Sequence, residues 1–472
     1  MPDPPLGRRP EALDALSSDA LVLFGGTGDL ARKKIYPALL ALAQRGRLDL
    51  PVIAVARGAF DAERFREYVR ENLPLGGALR RAFDRLAPQL DFVQGDYRDT
   101  ATYAALRRRL GERERPLYYL AIPPDAFPGV VDQLGRSGCT RGARVVLEKP
   151  FGRDLASARA LNAVLRERFP EGSIFRIDHY LAKEAVQNLA YFRFANAVFE
   201  PVWNRHHVAG VQVTQAERFG VEGRGAFYDS VGAVRDVVQN HLLQVVAMLA
   251  MEPPNRLDGD AQRDEKVKVL RAMRPIAGSD IVRGQYRGYR TESGVDPGSG
   301  VETFAAVRLF IDAWRWAGVP FLIRAGKRLA ATATEVVVEF MGPPRQLFTE
   351  PVTPRANYAR FRLGPDRVAI AIGVRTKAPG AAMIGRDIEL YCCDQEPEAP
   401  DPYERLIGDA LMGDGMLFAR EDGVEAAWRV VEPALDGTEP PLEYEPGSWG
   451  PAGADALASE AGGWHAPAPD RP

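Results

Sequence analysis

Residues 176–184 read RIDHYLAKE, which sets Asp178, His179, Tyr180 and Lys183 almost side by side. A carboxylate, an imidazole and an ammonium group this close can bind an anion or move a proton. His179 and Lys183 are four apart, so a helix beginning near Asp178 would stack them one turn apart at its N-terminus. Two donors and the free amides there would make a phosphate site. A charged helix start with Lys183 and Glu184 in solvent satisfies the same spacing, and spacing alone leaves both readings open.

The chain holds five histidines: His179, His206, His207, His241 and His465. His206 and His207 are neighbours on a strand approach, where adjacent side chains point to opposite faces. His465 lies near the C-terminus, so no metal site built on histidines is expected. His241 falls in GAVRDVVQNHLLQVVAMLAM, a helix apolar around most of its circumference. Asp236, Gln239, Asn240 and His241 form a polar band within it. Burying such groups unpartnered costs about 1–3 kcal/mol each, so partners or a ligand must meet them. An imidazole with an ordinary pKa of about 6.5, steadied by a buried carboxylate, suits general-base work. A satisfied core histidine is the plainer alternative.

A second chemical signal lies near the N-terminus, in ALVLFGGTGDLARKKIYPALLAL. Gly26, Gly28 and Ala31 have G-x-G-x-x-A spacing directly after a strand and at the opening of a helix. Such glycines let the backbone approach a pyrophosphate, which the helix N-terminus stabilises. Gly25, Gly26, Thr27, Gly28, Asp29 and Leu30 therefore form the expected cofactor loop. Dinucleotide folds that take NAD carry an acid at the end of the second strand. Here VIAVARG ends in Arg57, a cation that favours the 2′-phosphate of NADP. Lys34 is either a further phosphate cation or a solvated helix lysine. Asp96 and Tyr97 follow the third strand and Ala121 to Pro124 the fourth, at ends expected to face the cofactor or at an ordinary loop surface. Lys149, in VVLEKPFG, ends a fifth strand, and Pro150 restricts it to an extended backbone and can hold a cis bond.

These residues need elements to hold them. From residue 18 to 180, short apolar runs alternate with helix-patterned segments, and the runs are continuous rather than alternating. Both faces are then covered, as in a doubly wound α/β domain with a parallel sheet. Beyond residue 205, strands follow one another without room for crossover helices, so a larger α+β domain with a mainly antiparallel sheet is expected. A long helix is expected from 228 to about 251 and another near 402–414. The organisation reads as a flexible arm (1–17), a dinucleotide domain (18–180), a substrate and oligomerisation domain (181–455) and a tail (456–472). The segment after about 436 is rich in Pro, Gly, Ala and acids and reads as extended.

Hydrophobic residues make up 46% and charged residues 26% of the 472, as in a globular protein. The formal net charge of −2 gives no surface of the kind nucleic acids select. Cys139, Cys392 and Cys393 cannot form a disulfide framework, which points to a reducing cytoplasm. No apolar run reaches the length of about 18 residues needed to span a membrane.

Taken together, GGTGDLARKKIYPALL, VVLEKPFG, RIDHYLAKEAVQN, FGVEGRGAFYDSVGAVRDVVQNHLLQ, VPFLIRAGKRL and DPYERLIGDALMGD resemble, in order and spacing, the glucose-6-phosphate dehydrogenase family. The resemblance runs from about residue 20 to 455. It implies a Rossmann-like N-terminal domain, a larger sheet domain, and homodimers or homotetramers joined through that sheet. It implies that His241 takes the proton of the C1 hydroxyl of glucose 6-phosphate while C1 gives its hydride to NADP. Asp178 would orient His241; His179, Tyr180 and Lys183 would hold the sugar phosphate. Glu217 and Asp236 would hold sugar hydroxyls, Lys327 would contact substrate, and Lys149 would lie between substrate and cofactor. No metal is called for. Two positions depart from the family pattern: Thr332 stands where a second lysine is common, and Gly364 where Gln often precedes the proline. A dehydrogenase of another sugar phosphate and a non-catalytic nucleotide-binding paralogue are the alternatives.

Overall fold

The computed structural model describes residues 17–256, 258–348, 355–365, 368–380, 382–395, 401–435 and 439–467. Most of the expected N-terminal arm (1–16) and the end of the tail (468–472) lie outside the described residues. Two compact units divide the chain. One runs to Ala182 and takes in 256–263 and 400–424; the other comprises Lys183–Asn255, Asp264–Ala399 and the chain from Glu425 onward.

The first unit is built on β1 (Ala20–Phe24), β2 (Val52–Ala56), β3 (Leu90–Gln94), β4 (Pro116–Leu120), β5 (Arg144–Glu148) and β6 (Ile174–Ile177). Every residue of β1, β2 and β4 is buried, as continuous apolar runs require of strands covered on both faces. All six are parallel, in the order β6-β5-β4-β1-β2-β3. This is the order of dinucleotide-binding sheets, with the chain reversing direction across the sheet between β1 and β4. Three of the connecting helices start where a short polar side chain caps them. Asp61 accepts from Arg64 N–H at 2.8 Å, Asp99 from Ala101 at 2.9 Å, and Asp154 forms a capping box with Ser157.

Segment 400–424 belongs to this unit. Its helix, Pro402–Met412, starts on Asp401 as cap and is fastened by Arg45 to Glu404 at 3.0 Å. A two-residue strand, Phe418–Ala419, then pairs antiparallel with β6.

The second unit holds a nine-stranded sheet. Its labelled strands are β7 (Val208–Ala216), β8 (Ile281–Tyr286), β9 (Phe304–Leu309), β10 (Phe321–Gly326), β11 (Ala333–Phe340), β12 (Tyr358–Gly364), β13 (Val368–Lys377) and β14 (Gly385–Gln395). The order is β14-β13-β12-β11-β7-β10-β9-β8, followed by Leu442–Tyr444 at the edge. Most neighbours are antiparallel, as expected. The exceptions are β7 with β10, which have the long 217–320 segment between them, and β8 with Leu442–Tyr444.

The segment after 436 departs from its extended reading. Residues 439–467 contribute the edge strand, the helix Gly453–Ala458 and a set of anchors on the sheet. Arg324 lies between the rings of Trp449 and Trp464, at 4.5 and 4.7 Å, and donates to the His465 carbonyl at 3.0 Å. His465 Nε2 meets the buried Glu335, which also pairs with Arg360 at 3.1 Å. Aromatic and histidine anchors inside a Pro- and Gly-rich composition give this segment its partners. Among the described residues no helix is long and apolar enough to cross a membrane.

Candidate active site

In the first unit the chain leaves β1 at Gly25 with φ +83°, where a Cβ would lie 2.1 Å from the Ala121 carbonyl oxygen that follows β4. Only glycine allows this close crossing at the switch point. At Gly26 a Cβ would come within 2.5 Å of Ala54 Cβ on β2. Two tyrosine hydroxyls fasten the loop's carbonyls: Tyr36 donates to Gly26 at 2.5 Å and Tyr68 to Thr27 at 3.0 Å. Gly28 N–H donates to the Gly25 carbonyl at 2.9 Å, and Leu30 is already helical. The next turn, Ala31–Ile35, is wound as a π-helix. A glycine cradle held open in this way fits a dinucleotide pyrophosphate. Asp29 is exposed and paired with Arg32 and Lys33, and the Arg32 hydrogen bond foremost keeps its carboxyl below the usual range.

Arg57, Asp96 and Tyr97 converge at the ends of β2 and β3. Arg57 is exposed and close enough to Asp96 to stabilise its carboxylate. The larger cause is the Arg98 side chain, bonded at 3.1 Å, and together they hold Asp96 down at about 2. Tyr97 donates to the Val55 carbonyl at 3.3 Å, and burial raises its pKa. Arg98, adjacent to Asp96, is a second cation here that motif spacing did not single out. Lys34 is an exposed helix lysine whose ammonium pairs with Asp401 at 3.0 Å and faces the Tyr403 ring.

Lys149 directly follows β5, and its bond to Pro150 is cis. The preceding Glu148 is half-buried, accepts from the Tyr119 hydroxyl at 2.5 Å, and is pushed up to about 7 by desolvation. Hydrogen bonds from Tyr119 and Tyr403 oppose that rise.

RIDHYLAKE folds differently from the conditional helix start. Asp178 is 3% exposed; its carboxylate accepts the Tyr180 N–H at 3.0 Å and its carbonyl the Leu181 N–H at 3.0 Å. This turn delays the helix to Glu184–Ala195, with Lys183 as an extended N-cap at φ −71°, ψ 128°. His179 and Lys183 therefore do not stack on one helical face. An aspartate bonding its own backbone two residues on competes with helix, which explains the delay. The His179 and Tyr180 rings meet edge to face at 5.3 Å. Arg176 is fully buried and structural, bonded to Glu171 at 2.7 Å and Asn162 at 2.8 Å.

In the second unit the parallel pair β7 and β10 delivers Glu217 and Lys327 side by side, 2.5 Å apart. Lys327 Nζ also faces the rings of Phe219 and Tyr228, at 5.2 and 5.0 Å. Tyr228 is buried, which drives its hydroxyl pKa well up, and the charges of Asp236, Glu302 and Glu217 add to the rise. Glu217, Lys327 and Asp236 thus gather around a tyrosine that sequence reasoning missed. Its only signal was its place within FGVEGRGAFYD.

The expected long helix is present up to Ala250, but its part Val234–Leu242 is wound as a π-helix that passes directly into Leu243–Ala250, and Gly225–Asp229 ahead of it is a separate short helix. In an α-helix of 3.6 residues per turn, Asp236 and His241 would be about 140° apart. Winding that closes hydrogen bonds over five residues brings them toward one face. His241 is 2% exposed. Part of the polar band is satisfied internally: Asn240 donates to the Arg235 carbonyl at 3.0 Å and accepts the His241 N–H at 2.6 Å. Thr332, the departure from the family pattern, accepts the Arg218 N–H at 3.0 Å, and Arg218 Nε reaches the Ala330 carbonyl at 2.9 Å. Gly364, the other departure, has φ +114° and a cis bond to Pro365.

A doubly wound sheet with a glycine cradle at its switch point, followed by a sheet unit carrying a lysine, two carboxylates and a buried histidine, defines a dinucleotide-dependent class of protein. The family model "Glucose-6-phosphate dehydrogenase, NAD binding domain" matches residues 22–188, and "Glucose-6-phosphate dehydrogenase, C-terminal domain" matches 190–465. A glucose-6-phosphate 1-dehydrogenase 1 of Mycobacterium tuberculosis is 44% identical, over 96% of this chain and 97% of its own. The Bacillus subtilis glucose-6-phosphate 1-dehydrogenase is 39% identical, over 93% and 96%. The crystal structure of the Mycobacterium avium enzyme superposes with a TM-score of 0.89 at 42% identity, covering 96% of this chain and all of that one. A glucose-6-phosphate dehydrogenase in complex with its substrate glucose-6-phosphate gives 0.87 at 35% identity, covering 96% and 99%. The chain belongs to the glucose-6-phosphate dehydrogenase family.

Proposed function

We propose that this chain oxidises D-glucose 6-phosphate to 6-phospho-D-glucono-1,5-lactone with hydride transfer to NADP⁺, the entry step of the pentose phosphate pathway. The observation that carries the reading is His241, a deeply buried imidazole wound toward the face of Asp236 in a chain matched by this family along nearly its whole length. His241 removes the C1 hydroxyl proton, and Asp178 orients the ring and steadies the imidazolium that forms. His179, Tyr180 and Lys183 hold the phosphate by charge-assisted hydrogen bonds. Glu217 and Asp236 accept from sugar hydroxyls, and Lys327, paired with Glu217, donates to the substrate. Lys149 lies between sugar and cofactor.

The loop Gly25–Leu30 holds the pyrophosphate, Arg57 the 2′-phosphate, and Asp96 and Tyr97 flank the nucleotide. When bound, NADP⁺ supplies the hydride acceptor. The working form is a cytoplasmic homodimer or homotetramer. Purified protein given NADP⁺ and a panel of hexose 6-phosphates tests the reading: turnover is expected with glucose 6-phosphate, and turnover confined to another hexose phosphate would redirect the substrate assignment.

Arg57→Ala removes the cation assigned to the 2′-phosphate. A hydrogen bond to a charged group contributes about 1.5–3 kcal/mol, so Kd for NADP⁺ should rise roughly 10- to 100-fold. Kd for NAD⁺ should stay within about twofold, and calorimetric titration with both nucleotides checks this. An equal loss for both would remove Arg57 from that role.

A further inference from the structure

Glu302, just ahead of β9, is 5% exposed and belongs to none of the roles above. Its carboxylate oxygen Oε1 accepts the Val234 N–H at 3.0 Å, and its main-chain carbonyl accepts the Ala233 N–H at 3.0 Å. These are successive amides at the start of the helix that carries Asp236 and His241. Amides of a first helical turn have no intrahelical acceptor. Here one residue supplies two acceptors, from side chain and main chain. Gly232 completes the fit: its φ is +71°, and a Cβ there would stand 2.6 Å from Glu302 Oε1. Beside the carboxylate a cavity of about 180 Å³ is also lined by Arg235 and Arg283.

We infer that Glu302 is a positioning residue that, together with Gly232, fixes the start of the π-wound helix and thereby sets the placement of His241 and Asp236. The winding makes this control necessary. A helix that passes from i→i+5 to i→i+4 bonding has two competing registers, and a one-residue slip at its start would rotate His241 by about 100°. A carboxylate clamped on the first amides selects one register. The inference rests on the reading of His241 as the base, but its structural half stands apart from that reading.

The test pairs two variants of the full chain. Glu302→Met keeps the side-chain volume and removes the acceptor; Glu302→Gln keeps an acceptor oxygen for the Val234 amide. For Glu302→Met, kcat is expected to fall roughly 10- to 100-fold, the scale of a small misplacement of a catalytic group, while KM for NADP⁺ stays within about twofold. Glu302→Gln is expected to restore kcat to within about threefold of the native chain. Native kcat in a folded Glu302→Met, or an equal loss in both variants, overturns the inference. Hydrogen exchange on the native chain decides the case where Glu302→Met is not recovered folded. The Val234 amide should be protected as strongly as Val238 in the helix interior, and rapid exchange at Val234 overturns the clamp. Failure of the base reading shows separately, as retained turnover in His241→Asn.

Discussion

His241→Asn should lower kcat by about 10² or more while leaving KM for glucose 6-phosphate nearly unchanged. Asparagine keeps a polar side chain of similar reach, so the buried band around Gln239 and Asn240 is not opened. What it lacks is a nitrogen that can take a proton. The loss should therefore fall on the step in which the C1 hydroxyl proton leaves, and not on binding. A group acting only in the transition state lowers kcat and kcat/KM equally. Steady-state kinetics with saturating NADP⁺ checks the split. A variant that raised KM and kept kcat would make His241 a binding residue.

Gly25→Ala should be the most damaging single methyl addition in the first unit. The backbone at φ +83° disfavours any side chain, and the added Cβ would overlap the Ala121 carbonyl oxygen, so the β1–β4 crossing must shift. Backbone strain of about 1–2 kcal/mol adds to the displacement of a packed main chain, for a total of about 3 kcal/mol or more. Gly46→Ala is the control: its φ is +67° but nothing lies within 4 Å of the added Cβ, so strain alone remains. Thermal unfolding should show a much larger drop in Tm for Gly25→Ala, with NADP⁺ binding lost in that variant only. Equal drops in Tm would mean the close approach to Ala121 carries no weight.

The features legible in the sequence are those whose cause is local. The glycine turn was legible because glycine spacing, strand and helix adjoin one another, and the place of Arg57 because it directly follows the next strand. Continuous against closely spaced apolar runs separated the parallel from the mainly antiparallel sheet. The turn at Asp178 was hidden, since Asp can cap a helix or bond its own backbone, and only the folded chain chooses. Lys34 meets Asp401 across 367 positions, and Glu217 meets Lys327 across 110, pairings that no window of sequence contains. The residues near Trp449, Trp464 and His465 looked extended because Pro, Gly and Ala outnumber the few anchors that hold them. The π winding around His241 escaped too. Asp236 and His241 are five apart, a spacing that helical periodicity of 3.6 places on different faces.

The proposed reaction is oxidation at C1 with hydride passed to the nicotinamide. Glucose 6-phosphate deuterated at C1, turned over with NADP⁺ and followed by mass spectrometry of the nucleotide, tests it most directly. One deuterium is expected in each reduced nucleotide and none left at C1 of the product. Reduced nucleotide without deuterium, or no reduction with glucose 6-phosphate, would contradict it.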